Sequence, residues 1–232
     1  MTIQLVVFDM AGTTVKDNDN VHAALQKAFA MEGISVSRNE ANDVMGYPKP
    51  VAIYELLKLR GHANPEEAFI QQVFRNFQNE MVNYYQHAPE VREIEGVSQL
   101  FDVLRKNRIK VAIDTGFDRR IADTILKRLG WQEKGLLDVS ITSDEVARGR
   151  PYPDMIFRAM ELTGVTDAKQ VAKVGDTASD LQQGTAAGCR FVVGVTTGAF
   201  TKEALVKEPH THIISQLSEL LPLMNIASVA AE

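Results

Sequence analysis

The sequence predicts an α/β fold: a doubly wound parallel sheet, Rossmann-like in its core, with an inserted α-helical cap domain. Three observations predict it. From Gly96 onward, short apolar runs alternate with helical patterns, the mark of a parallel sheet with crossover helices. Before that, roughly 75 residues after the first strand carry helical periodicity and no convincing strand, too many for a connection in such a sheet. Finally, acidic and hydroxyl residues stand at the ends of several predicted strands, where doubly wound sheets bind their ligands. The expected boundaries are 1–15 with 93–232 for the core and 16–92 for the cap.

Taken in order, Ile3–Phe8 is an apolar strand. Val21–Met31 is a helix in which Ala24, Leu25, Ala28 and Phe29 recur at helical spacing. A short turn near Asn39–Val44 and a helix over Val51–Arg60 follow. A long helix starts at Pro65, with Glu66 and Glu67 behind it, and runs to about Gln86. The core then reads helix Val97–Lys106, strand Lys110–Asp114, helix Arg119–Leu129 and strand Val139–Thr142. Helix Asp154–Thr163, strand Val171–Val174, helix Ser179–Ala187 and strand Arg190–Val195 continue it. A strand at His212–Ile214 and a helix from Gln216 to about Leu223 close the pattern, and the tail after Met224 is expected to fray.

Composition narrows the classes of function. Of 232 residues, 45% are hydrophobic and 24% charged, the balance of an ordinary globular protein. The formal net charge is -5 and no Lys/Arg tract appears, which argues against nucleic acid or an anionic membrane as partner. No apolar run approaches the ~20 residues of a membrane span, and no signal-peptide pattern opens the chain, so the expected location is cytoplasmic. The single Cys189 reads as a small buried residue. No Gly-x-Gly-x-x-Gly or Walker loop marks a nucleotide site. His210 and His212 read as a surface loop, His22 as helix surface, Trp131 as packing at a helix end, and Gly194–Gly198 as a strand-end turn.

The chemistry gathers at the strand ends. Asp9 follows the first strand, Asp114-Thr115-Gly116 ends the second, Gly175-Asp176 ends Val171–Val174, and Gly149-Arg150-Pro151 leads into a helix between them. Carboxylates with backbone carbonyls suit Mg²⁺, while an arginine fork and a hydroxyl suit a phosphoryl group. Asp180, one helical turn beyond Asp176, faces the same edge.

These motifs, in this order, resemble the haloacid dehalogenase superfamily: Asp-x-x-Gly-Thr in FDMAGTT, a hydroxyl closing the second strand, a basic residue before Pro-x-Pro, and VGDTASD. The resemblance implies that Asp9 attacks phosphorus and forms an aspartyl-phosphate. It implies Mg²⁺ held by Asp9, the carbonyl of Ala11 and Asp176, with Asp180 and Thr13 in support. Thr115, Gly116 and Arg150 would bind substrate, and the helical insertion matches the superfamily's small cap.

Two departures narrow the resemblance. The acid usual two residues after the nucleophile is Ala11, and the usual lysine before Pro-x-Pro is Arg150. Both departures, DMAGTT and GRPYPDM, are similar to the phosphonatase branch, the phosphonoacetaldehyde hydrolases. That branch carries Met-Gly-x-x-Lys in its cap, matched by Met45-Gly46-Tyr47-Pro48-Lys49. Lys49 would form an imine with an aldehyde and draw electrons from the C–P bond, which makes an acid at Ala11 dispensable. Met45 and Gly46 would line the substrate's place. The branch also has His three residues after the lysine and Tyr after the Thr-Gly, both serving the aldehyde end; Ala52 and Phe117 stand here, so either the protons are shuttled differently or the substrate is a close relative of phosphonoacetaldehyde. The alternative is a Mg-dependent phosphomonoesterase or sugar-phosphate mutase of the same superfamily, in which Lys49 is incidental. Relatives often dimerise through the cap, and the apolar side of Val21–Met31 would permit a homodimer.

Overall fold

The computed structural model describes residues 2–226, and the part of the tail beyond them, expected to fray, lies outside the described residues. Six parallel strands form one sheet in the order β3-β2-β1-β4-β5-β6. They are β1 (Leu5–Phe8), β2 (Lys110–Thr115), β3 (Val139–Thr142), β4 (Val171–Gly175), β5 (Phe191–Val195) and β6 (His212–Ile214). Strand β1 is central and fully buried, LVVF, because both its faces are covered by helices. Its register sets Phe8 beside Ile113 of β2 and Val174 of β4. The residues that follow on all three strands therefore emerge together at one edge.

Between β1 and the helix α5 (Val97–Lys106) lies the helical insertion. It comprises α1 (Asn20–Ala30), α2 (Arg38–Asp43), α3 (Lys49–Leu59) and α4 (Glu67–His87). Helix α4 gathers the insertion's own core, burying Ile70, Val73, Phe77, Met81 and Tyr85 at helical spacing. The chain enters and leaves the insertion through two segments lying side by side. Lys16 donates to the Arg92 carbonyl at 3.0 Å and Ile94 to that of Thr14 at 2.8 Å, with Val15 bridged to Glu93.

Helices α6 (Arg119–Leu129), α7 (Asp154–Thr163) and α8 (Ala178–Ala187) complete the covering of the sheet. Two local differences from the expected pattern have simple causes. The segment near Asn39 is a helix, not a turn, because Ser37 and Glu40 form a complete capping box. Helix α3 begins at Lys49, two residues before the expected start, since Pro50 fits the first turn where no amide partner is needed. The last expected helix is a 3-10 turn followed by the short α10 (Leu220–Leu223), and α9 (Lys202–Leu205) was not foreseen.

Candidate active site

Asp9, at the end of β1, places Oδ1 2.7 Å from Arg150 Nη2. The same guanidinium donates to the backbone carbonyl and to Oδ1 of Asp114, both at 2.7 Å, and Nη1 lies 2.9 Å from Asp180 Oδ1. From the middle of β4, Lys173 pairs with Asp114 and reaches Asp180 Oδ1 at 3.0 Å. With Asp176 added, four buried carboxylates share two buried cations. The cluster is short of two positive charges.

That shortage shows in the acidities. Burial pushes the Asp9 carboxyl up to about 6 even though Arg150 opposes the shift. Burial, followed by the charges of Asp9 and Asp180, raises Asp176 well above the usual carboxylate range. Burial works against Asp180 too, but Arg150, Lys173 and the Thr177 hydroxyl together hold it low. A divalent cation matches the deficit, and ligand oxygens of Asp9, Asp176 and Asp180 lie within 4.8 Å of one another. Asp180 is already engaged: Oδ1 by Arg150 and Lys173, Oδ2 by the Thr177 amide and hydroxyl at 3.2 and 2.6 Å. Asp9 and Asp176 thus have the better claim as direct ligands. Asp176 is aimed by the Thr13 hydroxyl at 2.9 Å and the Ala199 amide at 2.7 Å. The loop bringing Ala199 can come so close because Gly198 has no side chain; a Cβ there would stand 1.9 Å from Asp176 Oδ2.

The insertion supplies the opposite wall. Gly46 adopts φ 80°, and a Cβ there would strike Ser179 Oγ at 2.2 Å and Thr177 Oγ1 at 2.4 Å. A Cβ on Gly116 would in turn meet the carbonyls of Gly46 and Tyr47, each at 2.8 Å. The two glycines let the loop before α3 seat directly on the strand ends. Lys49, the first residue of α3, is only 3% exposed. Its ammonium lies 5.7 Å from the Phe77 ring centre and 5.6 Å from that of Phe117, and donates to the Tyr47 carbonyl at 3.5 Å. Aromatic faces compensate a buried charge less well than a carboxylate does. Burial, with help from Arg150, accordingly pushes Lys49 down to about 8, while Asp9 and Asp17 resist.

The cleft between these walls is narrow, with a cavity volume of about 30 Å³. Asp9, Ala11, Met45, Gly46, Lys49 and Thr115 line it, as do Gly116, Arg150 and Asp176. Every expected site residue except Thr13 and Asp180 borders the cleft, and those two stand behind Asp176 and Arg150 respectively. Thr115 Oγ1 accepts the Phe117 amide at 3.2 Å and keeps its own proton to donate.

Sequence reasoning missed Lys173, Asp17 and Phe77. Lysine inside the apolar run VAKVG was the available signal, since a mid-strand charge must have a partner. His22, expected on a helix surface, is buried and meets Asn42 Oδ1 at 3.1 Å. Trp131 packs at a helix end as expected, donating to Glu93 at 2.8 Å.

Fold and cleft together define a capped, doubly wound α/β protein with a buried acidic triad suited to a metal. The chain belongs to the haloacid dehalogenase-like hydrolases, whose family profile matches residues 6–194. It is 34% identical over 212 residues to a Bacillus cereus (strain AH187) protein named phosphonoacetaldehyde hydrolase, covering 86% of this chain and 78% of the relative. A Bacillus cytotoxicus protein of the same name is 30% identical over 239 residues, covering 97% and 87%. Among solved structures, a phosphonoacetaldehyde hydrolase-like protein from Oleispira antarctica superposes with a TM-score of 0.84 at 23% identity, over 97% of this chain and 92% of that one.

Proposed function

We propose that this chain cleaves the C–P bond of phosphonoacetaldehyde or a close 2-oxoethylphosphonate. Lys49 forms an imine with the aldehyde, and Asp9 takes the phosphoryl group as an aspartyl-phosphate that water then hydrolyses. One observation carries the reading: a buried lysine, its pKa lowered to about 8, lines the same cleft as the Asp9 carboxylate. Near neutral pH a usable fraction of such an amine is neutral and able to attack a carbonyl. The relatives' names point the same way.

The residues divide the work between the two walls. Mg²⁺, held by Asp9, the Ala11 carbonyl and Asp176, would neutralise the phosphoryl charge. Arg150 orients Asp9, and the Thr115 hydroxyl with the Gly116 backbone would receive phosphoryl oxygens. Met45, Phe77 and Phe117 exclude water around the lysine. Ala11 gives no proton to a leaving group, and a carbon leaving as an enamine asks for none at that point. Residues 16–92 act as the cap in this reading, and the paired segments at 14–16 and 92–94 as its hinge.

Phosphate release from phosphonoacetaldehyde, measured beside a panel of phosphate monoesters, tests the reading. The aldehyde phosphonate is expected to be preferred, and Lys49→Arg to lose it. Preference for monoesters with Lys49→Arg still active would support a phosphomonoesterase or mutase instead.

A further inference from the structure

Imine chemistry needs a proton carrier beside the amine, and Ala52 and Phe117 supply none. A carboxylate borders the cleft that Lys49 lines. Asp17, where the chain passes from the hinge into α1, is half-buried and lines the cleft with Asp9, Lys49 and Phe117. Its Oδ1 accepts the first-turn amides of α1, Asn20 at 2.7 Å and Val21 at 3.4 Å. No described residue donates a hydrogen bond to Oδ2. The charge of Asp17 also acts on Lys49, favouring its ammonium.

We propose that Asp17 is the general acid–base of the aldehyde end, carrying the protons of imine formation and imine hydrolysis at Lys49. The proposal rests on the imine reading above. The Asp17 carboxylate takes a proton from the Lys49 ammonium. The freed amine adds to the aldehyde carbon, and the nitrogen's proton passes to the new alkoxide, giving a neutral carbinolamine. The Asp17 carboxyl then protonates that hydroxyl, which departs as water, leaving a protonated imine and an ionised Asp17. Once the phosphoryl group has moved to Asp9, the C–P electron pair remains in an enamine. A proton from solvent water adds to its carbon and regenerates the protonated imine, and Asp17 takes a proton from the water that hydrolyses it and returns that proton to the departing Lys49 nitrogen. Burial raises the Asp17 carboxyl above its ordinary range, against the pull of the two amides, the direction that suits a carrier working near neutrality.

Two substitutions separate this role from helix capping. Asp17→Asn keeps an acceptor for the α1 amides but cannot carry the proton. Phosphate release from phosphonoacetaldehyde is expected to fall about 100-fold or more in Asp17→Asn, with borohydride trapping at Lys49 slowed in parallel. Added formate is expected to restore part of the activity of Asp17→Ala, a rescue that a purely structural residue would not show. An Asp17→Asn enzyme within about threefold of wild type in both measures overturns the assignment and leaves the imine reading intact. A wild-type enzyme that releases phosphate but gives no Lys49 adduct overturns the imine reading, and this proposal with it.

Discussion

Lys49 is buried between two aromatic rings, and that burial, with the charge of Arg150 second, disfavours its ammonium. The folded state therefore binds this proton less tightly than the unfolded chain, where the usual value is 10.5. The sign follows: the destabilisation is full below pH 8, fades as pH rises, and is gone above the unfolded value. Lys49→Met should raise the melting temperature at pH 7, by a stability gain on the order of 1–3 kcal/mol, and that gain should vanish near pH 10.5. A melting-temperature series against pH checks it. Under the proposed function the same shift would set the kinetics, since only a neutral amine attacks a carbonyl: trapping at Lys49 should rise about tenfold per pH unit below 8 and level off above. On the opposite wall, Asp9→Asn should lower turnover at least about 100-fold, worth about 2.7 kcal/mol in the barrier. Retained activity there would remove Asp9 as the attacking group.

At the scale of elements, the seat of the α3 loop on the strand ends depends on Gly46 and Gly116 lacking side chains. Gly46→Ala introduces both a collision with Thr177 and Ser179 and an unfavourable φ, so the cap should seat badly. kcat/KM should drop at least about tenfold, while Mg²⁺ affinity, read by calorimetry, should change less than about threefold because its ligands lie in the core. The two glycines touch the same loop, so the Gly46→Ala and Gly116→Ala losses should not add. Much of this site was legible in the sequence because parallel strands deliver their terminal residues to one edge: Asp9, Thr115 and Asp176 needed no tertiary information beyond the winding rule. Lys49 was legible only through its motif, since its position at the start of α3 follows from Pro50 tolerating a first turn. Lys173 and Asp17 were not legible. One is a charge whose partners come from β2 and α8, and the other looks like an ordinary helix-capping aspartate.

For the whole molecule, the cluster's missing positive charge links metal to folding. Mg²⁺ at about 100 times its Kd should stabilise the protein by about 2.7 kcal/mol, and a chelator should abolish turnover and lower the melting temperature. Asp176→Ala should raise the Mg²⁺ concentration needed for half activity sharply; turnover that survives chelation would remove the metal from the mechanism. The paired segments at 14–16 and 92–94 carry a further consequence. They join two bodies that, under the proposed function, each hold one product covalently after the C–P bond breaks: the phosphoryl group on Asp9 of the core, the enamine on Lys49 of the cap. Opening about that hinge would carry the two fragments apart before either is released, which prevents their recombination and admits water to both. A chain quenched in mid-turnover with acid and then cyanoborohydride, which reduces the protonated imine formed from the enamine and spares the acyl phosphate, should then weigh as one polypeptide bearing two different adducts.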